Sequence, residues 1–428
     1  MSKNSQTLQG AVEESRLFEL ETPCFVFDEE ELRANFTKFQ QAMQNAWEGN
    51  AHLAYSVKTN PHPWIIESAL GCGCWAEVVS DQEYELALAC GCKPENIVFN
   101  GPIKGRECFR RALRAGSIVN LDSARELRWL AELAAESKGV DTRIAAFAVG
   151  LRVNIDLEHF CPGQTTSGKN GGRFGYCLEN GELALAIKAV QALSPYVRIA
   201  GLHMHVTTYS RSLEAYRTLA RHAVQIAREF CLELDFIDIG GGFFGGGSHN
   251  VGAYEAYAEA IADELRPAFD PLCTSVIFEP GGAVVCTPGS YVGRVVDAKD
   301  TGYGRFVTSE LSRINIDHEM KKTSYAHRLV PHDGNYCRDK VAKQVLCGYT
   351  CMESDRLCVL KDEPRLEEGD LVVVANAGAY SMSFTPGFFI ERAPATYACD
   401  ARGDYRCVDG RRGLLFSASK TPNDGSRL

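Results

Sequence analysis

Several short stretches of this 428-residue chain set reactive side chains beside glycine, proline or asparagine. In His52-Leu53-Ala54-Tyr55-Ser56-Val57-Lys58-Thr59-Asn60 a short apolar run reads as a buried strand that Asn60-Pro61 stops, so Lys58 falls where strand meets loop. An ordinary lysine is protonated and inert, but partial burial lowers its pKa and yields an amine able to form a Schiff base. A salt-bridged or snorkelling lysine is the plainer alternative. Gly201-Leu202-His203-Met204-His205 ends another strand-like run, and period two puts both imidazoles on one face. There they could bind a metal, for which no third ligand is apparent, or pack on a planar cofactor; a satisfied core histidine is the plainer reading of His203. Asp238-Ile239-Gly240-Gly241-Gly242-Phe243-Phe244 offers consecutive backbone N–H groups with no side chains in the way, a cradle for an anion such as phosphate. Its spacing is not the dinucleotide G-x-G-x-x-G, and a merely permissive loop continued by Gly245 to Gly247 is the alternative. Phe278-Glu279-Pro280-Gly281 leaves a carboxylate after an apolar strand, where it needs a partner such as a protonated ring nitrogen. Gly348 to Asp355 gathers Cys351, Glu353 and Asp355 in one turn, and Ala377-Gly378-Ala379-Tyr380 sets a phenol beside glycine.

These residues need a scaffold. Strand-like runs recur at Leu53–Val57, Trp75–Val79, Ile97–Asn100, Ile118–Leu121, Ile144–Val153, Ile199–Val206, Phe236–Ile239 and Val276–Phe278. Helix-like segments lie between them, among them Asp81–Cys90, Ser123–Lys138, Glu182–Leu193, Ser212–Phe230 and Ala253–Leu265. That alternation is what a (β/α)8 barrel requires, and a doubly wound sheet is its competitor. Lys58, His205, Gly240 and Glu279 all fall at or just past strand ends, the side on which barrels build active sites, which favours the barrel. Beyond about Thr287 short runs such as Tyr291–Val296, Gln344–Leu346, Arg356–Val359 and Leu371–Val374 read as an all-β domain. The strand Cys24–Phe27 precedes the barrel and could join that domain. The expected division is therefore residues 1–28 as a lead and strand, 29–286 as the barrel and 287–428 as the β domain, with a disordered tail over 420–428.

Composition narrows the partners. A formal net charge of −10 without a basic cluster speaks against nucleic acid or an anionic membrane and for a small molecule. The start is polar and carries Glu13 and Glu14, no apolar run reaches membrane-spanning length, and a cytoplasmic setting is expected. Seventeen dispersed cysteines fit reduced thiols. Cys72-Gly73-Cys74 and Cys90-Gly91-Cys92 lack the spacing of structural zinc sites, so no metal is expected.

In their order along the chain, from about Thr22 to Phe389, these motifs resemble the fold-type III pyridoxal-phosphate decarboxylases, which include diaminopimelate, ornithine and arginine decarboxylases. The resemblance implies a barrel of the alanine racemase type with a C-terminal β domain, and a head-to-tail homodimer with active sites shared at the interface. It implies pyridoxal 5'-phosphate bound to Lys58, stacked by His205, paired at its nitrogen by Glu279, with Gly240 to Gly242, Thr208, Gly281 and Tyr380 about its phosphate. Cys351 becomes the thiol that the second subunit lends to reprotonate the substrate carbon, and Met352, Glu353 and Asp355 face the substrate. Arg173 resembles a basic residue that pairs across the interface with the Asp355 position.

The chain also departs from that pattern. Gly282 replaces an arginine that usually helps hold phosphate, and His205-Val206-Thr207-Thr208 replaces His-x-Gly-Ser. Met352 stands where an acid often reads the far amino group of the substrate. The Arg-Pro-x-x-Tyr run by which diaminopimelate decarboxylases grip a carboxylate is absent, and the matching region reads Asp317-His318-Glu319-Met320-Lys321-Lys322. These departures favour decarboxylation of a specialised amino acid, such as a natural-product or siderophore intermediate. A diaminopimelate or basic amino-acid (ornithine, lysine or arginine) decarboxylase is the alternative, followed by an amino-acid racemase or a non-catalytic binder of the cofactor.

Overall fold

The computed structural model describes residues 15–137, 146–247, 250, 252–317, 319–382 and 394–409. The acids at 13 and 14, the start of the expected strand at 144, His318 and the tail over 420–428 lie outside these. The chain forms two compact units, one of Arg33–Val284 and one of Met1–Leu32 with Val285–Leu428.

Numbered along the chain, β1 (Cys24–Asp28) belongs to the second unit. The first unit carries β2 (Ala51–Ser56), β3 (Trp75–Val78), β4 (Ile97–Phe99), β5 (Ile118–Leu121), β6 (Phe147–Asn154), a short β7 (Tyr176–Cys177), β8 (Val197–His203), β9 (Phe236–Asp238) and β10 (Ser275–Phe278). All pair in parallel in the order β5-β4-β3-β2-β10-β9-β8-β6, with β7 on the flank of β6. A further β5–β6 pairing closes the ring. Closure leaves no sheet edge, which excludes the doubly wound alternative and makes this a (β/α)8 barrel. Phe236 plugs its interior among Ala54, Val98, Ala200 and Ile277. Gly201 is required there, since a Cβ would come within 2.3 Å of the Phe236 ring.

Capping sets where the helices begin. Ser80 accepts from the Glu83 amide, Ser212 from that of Ala215, and Ser123 with Glu126 forms a capping box. Two of the longer described helices escape the sequence pattern. Pro63–Gly71 begins on a proline, which reads as a stop although the first helical turn tolerates it. Arg106–Arg114 is dense in arginines, and pairs of Arg106 with Glu132, Arg110 with Glu136 and Arg111 with Glu85 tie it to its neighbours.

The second unit is mainly β: β11 (Gly289–Thr301), β12 (Gly304–Ser309), β13 (His327–Val330), β14 (Lys340–Val341), β15 (Gln344–Cys347), β16 (Arg356–Leu360), β17 (Glu363–Pro364), β18 (Leu371–Val374), β19 (Ala395–Cys399) and β20 (Tyr405–Cys407). β1 joins this sheet between β11 and β19, burying Cys24 and Val26 with Val292, Leu371 and Val373.

One buried ion pair locks the barrel on the side of β4 and β5. Lys104 Nζ reaches Glu126 Oε1 at 2.9 Å with both side chains fully buried, and also donates to the Gly101 and Asn120 carbonyls. The other Glu126 oxygen accepts from the Asp122 and Ser123 amides. Glu126→Ala would leave the buried ammonium without its counter-charge, and a loss of about 3–5 kcal/mol is expected from urea unfolding. A loss below about 1 kcal/mol would contradict this role.

Candidate active site

The C-terminal ends of the barrel strands collect the expected residues. Lys58 sits in a one-turn 3-10 segment, Val57–Thr59, directly after β2. Its ammonium lies 2.6 Å from Glu77 Oε2 and 2.8 Å from Ser56 Oγ, and Ser56 Oγ itself donates to Glu77 Oε2 at 2.6 Å. Glu77, inside β3 and 1% exposed, is a site residue that the sequence reading passed over. Its signal was available: a lone carboxylate within the strand run Trp75–Val79 needs a buried cation.

From Glu77 a polar chain crosses the barrel mouth. Asn100 Nδ2 donates to Glu77 Oε1 at 3.1 Å and to Glu279 Oε1 at 2.6 Å, and its own carbonyl oxygen accepts from Asn120 Nδ2 at 2.8 Å. Asn120 Nδ2 also reaches Asp238 Oδ2 at 3.2 Å, while Asp238 Oδ1 accepts from the Gly240 amide at 2.9 Å. Glu279 follows β10, and its amide is held by the Gly240 carbonyl. Ligand atoms of His203, Asp238 and Glu279 lie within 4.8 Å of one another. The sequence offered His203 no such companions. Burial lifts Asp238 well above the usual carboxylate range, and the neighbouring Glu279 charge adds to this. Burial works the same way on Glu279, but His203, a hydrogen bond with Asp238 and the Lys58 charge outweigh it and hold Glu279 below its ordinary value. The proton of this pair therefore favours Asp238 and the negative charge favours Glu279.

The two histidines stack with ring centroids 6.2 Å apart and planes 15° from parallel. His203 is buried, with its Nε2 3.5 Å from Glu279 Oε2. Burial, reinforced by the Arg152 charge, lowers His205 to about 3. Its Nδ1 accepts from the Gly241 amide at 3.1 Å, so the neutral ring carries its proton on Nε2.

Gly240 and Gly242 both hold positive φ, +73° and +88°. A Cβ on Gly240 would strike His205 at 2.4 Å, and one on Gly241 would strike the Glu279 carbonyl at 2.3 Å, so no larger residue fits the first two positions. Gly281 packs equally tightly, against Thr59. Thr208 Oγ1 accepts from the Arg211 amide at 3.0 Å. Beside His205 lies a cavity of about 560 Å³ that Arg152, Asp156, Glu158, Arg173, Glu179 and Thr207 help to line.

The remaining expected residues belong to the second unit. Cys351 is exposed on a turn after β15. Asp355 closes that turn. It is 1% exposed, and its carboxylate accepts from Ser312 Oγ at 2.8 Å, the Arg313 amide at 2.9 Å, Thr350 Oγ1 at 2.7 Å and the Thr350 amide at 3.3 Å. Asp355, the expected substrate contact and partner of Arg173, thus braces the turn within its own unit. Met352 is half-buried, Glu353 is exposed and pairs with Arg356, and Arg173 is exposed with its guanidinium over the Phe174 ring at 4.1 Å. Tyr380 is 44% exposed, with a φ of +53°.

An amine, a neutral stacking imidazole, a buried carboxylate and a cradle that any Cβ would fill are a donor set that fits pyridoxal phosphate. The fold and these groups define a barrel protein equipped to hold that cofactor.

Residues 29–286 match the family model described as pyridoxal-dependent decarboxylase, pyridoxal binding domain. The chain belongs to that family, the fold-type III pyridoxal-phosphate-dependent amino-acid decarboxylases. It is 25% identical to a probable chloroplastic diaminopimelate decarboxylase of Oryza sativa subsp. japonica, over 92% of this chain and 78% of that protein. It is 27% identical to the diaminopimelate decarboxylase of Zymomonas mobilis, over 86% and 85% respectively. The fold matches the crystal structure of the diaminopimelate decarboxylase of Methanocaldococcus jannaschii with a TM-score of 0.76 at 23% identity, covering 95% of this chain and 93% of that one. It also matches the arginine decarboxylase of Paramecium bursaria Chlorella virus, with a TM-score of 0.71 at 19% identity over 88% and 96%.

The Glu77 contact yields a direct test. An anion this close favours the charged amine, so Glu77→Gln should lower the pH midpoint at which Lys58 captures an aldehyde by about one unit or more. The pH dependence of borohydride-trapped adduct at Lys58 measures it, and an unchanged midpoint would contradict the pairing.

Proposed function

We propose that this protein removes the α-carboxyl group of an amino acid of the diaminopimelate type, with pyridoxal phosphate anchored on Lys58. The observation that carries the substrate class is the agreement among its relatives: proteins named diaminopimelate decarboxylase match along most of their length. The cavity beside His205 supports it, since side chains of both charge signs there suit a far end bearing both an amine and a carboxylate.

Pyridoxal phosphate, when bound, supplies an electron sink for the charge left on the substrate α-carbon as carbon dioxide departs. Glu279, kept ionised by its neighbours, favours a protonated ring nitrogen and so a strong sink. His205, neutral through the working pH range, stacks on the ring without opposing that charge. Ser56 and Glu77 orient Lys58 Nζ, and the Gly240 to Gly242 loop, with Thr208, Gly281 and Tyr380, holds the phosphate. Cys351 Sγ, lent by a second copy in a homodimer, donates the proton to the α-carbon, while Met352 and Glu353 face the substrate. The seventeen free thiols support a reducing, cytoplasmic setting, and no described helix is long and apolar enough to cross a membrane.

A specialised substrate is the second reading, favoured by Met352, whose thioether cannot pair with a substrate amine as an acid would. Release of carbon dioxide from a panel of amino acids separates the two. A kcat/KM for diaminopimelate at least about a hundredfold above that for lysine, ornithine or arginine is expected. Preference for an amino acid with an uncharged far end supports the second reading. No release from any member, or exchange of the α-proton without release, contradicts both.

A further inference from the structure

The glycine cradle contains no cation of its own, and Gly282 follows Gly281 in the β10 loop. A phosphate held by backbone amides alone keeps an uncompensated charge, so a guanidinium or ammonium is needed nearby. Arg211 is the cation tied to this loop. Its guanidinium carbon lies 4.6 Å from the ring centroid of Phe244, two residues beyond Gly242. Its amide donates to Thr208 Oγ1 at 3.0 Å, and its carbonyl accepts from Tyr257 Oη at 2.7 Å. The same Tyr257 oxygen accepts from the Phe244 amide at 3.4 Å, so the phenol clasps both loops. Arg211 holds a φ of +48°, a left-handed conformation that a non-glycine residue keeps where surrounding contacts impose it. Among the described residues it has no ion-pair partner; Glu214, the nearest acid in sequence, is taken by Arg221. A half-buried arginine with a fixed backbone, an aromatic shelf and no counter-charge is set up to receive an anion.

We propose that Arg211 is the cation that binds the cofactor phosphate in this protein, taking the place left by Gly282. This rests on Gly240 to Gly242 being the phosphate cradle. The guanidinium is held against Phe244 at the rim of the glycine loop, where its fork of N–H groups is available to a phosphate seated in that loop. No covalent step depends on Arg211, so its effect falls on cofactor affinity and on the preference for the phosphorylated form.

The test compares binding of pyridoxal phosphate with that of pyridoxal, its dephosphorylated counterpart, by absorbance titration of the apo protein. In Arg211→Met the affinity for pyridoxal phosphate should fall about tenfold or more while that for pyridoxal changes less than about twofold. Arg211→Lys should fall between, keeping the charge and losing the fork. Equal losses for both ligands would assign Arg211 a merely structural role and overturn the proposal, as would no loss for either. The wild-type protein separates the two levels. If it shows no preference for the phosphorylated ligand, the cradle reading itself fails; if it shows that preference and Arg211→Met keeps it undiminished, only Arg211 is misassigned.

Discussion

Three carboxyl groups and one ammonium share the buried mouth of the barrel, and the site depends on how they divide charge. Glu77 is matched by Lys58 at 2.6 Å. Asp238 and Glu279 face each other without a lysine or arginine in contact, and two adjacent carboxylates in so dry a place cannot both ionise. Asp238 keeps the proton and Glu279 the charge. The carboxyls and lysine together therefore carry one uncompensated negative charge, at Glu279, which a protonated ring nitrogen can balance. Asn100 and Asn120 make this arrangement possible: the Asn100 amide bridges Glu77 and Glu279, and Asn120 ties Asn100 to Asp238.

The barrel is what brings these groups together. Glu77, Asn100, Asn120, His203, Asp238 and Glu279 occupy or directly follow six different strands, and only closure of the ring puts their side chains in one polar layer. That layer sits above an apolar plug centred on Phe236. Water is excluded from below, and the interactions above gain strength from the low dielectric. The glycine loop follows the same logic. Gly240 is bound to Asp238 through its amide and to Glu279 through its carbonyl, so anion cradle and charged floor are braced by the same residues.

The barrel was legible in the sequence because its strands are short apolar runs whose period and spacing survive without tertiary information; β5 over Ile118–Leu121 and β18 over Leu371–Val374 match residue for residue. Lys58, His205, Gly240 and Glu279 stood out for falling at strand ends beside glycine or proline. Glu77, Asn100, Asn120 and Asp238 were less visible as a group, since nothing local distinguishes a polar residue that hydrogen-bonds across a barrel from one that faces solvent. The bracing role of Asp355 was hidden in the same way, because the Ser312–Arg313 segment that donates to it lies some forty residues away in sequence. The helix from Pro63 was hidden by the proline that starts it.

The division of charge between Asp238 and Glu279 is the central claim, and infrared difference spectroscopy of wild-type protein against Asp238→Asn tests it most directly. A protonated carboxyl has a carbonyl stretch above the amide band, and it shifts in heavy water. The account predicts such a band in the wild type at neutral pH and its loss in Asp238→Asn. A wild-type spectrum without it, or a band that persists in Asp238→Asn and disappears in Glu279→Gln, would contradict the account.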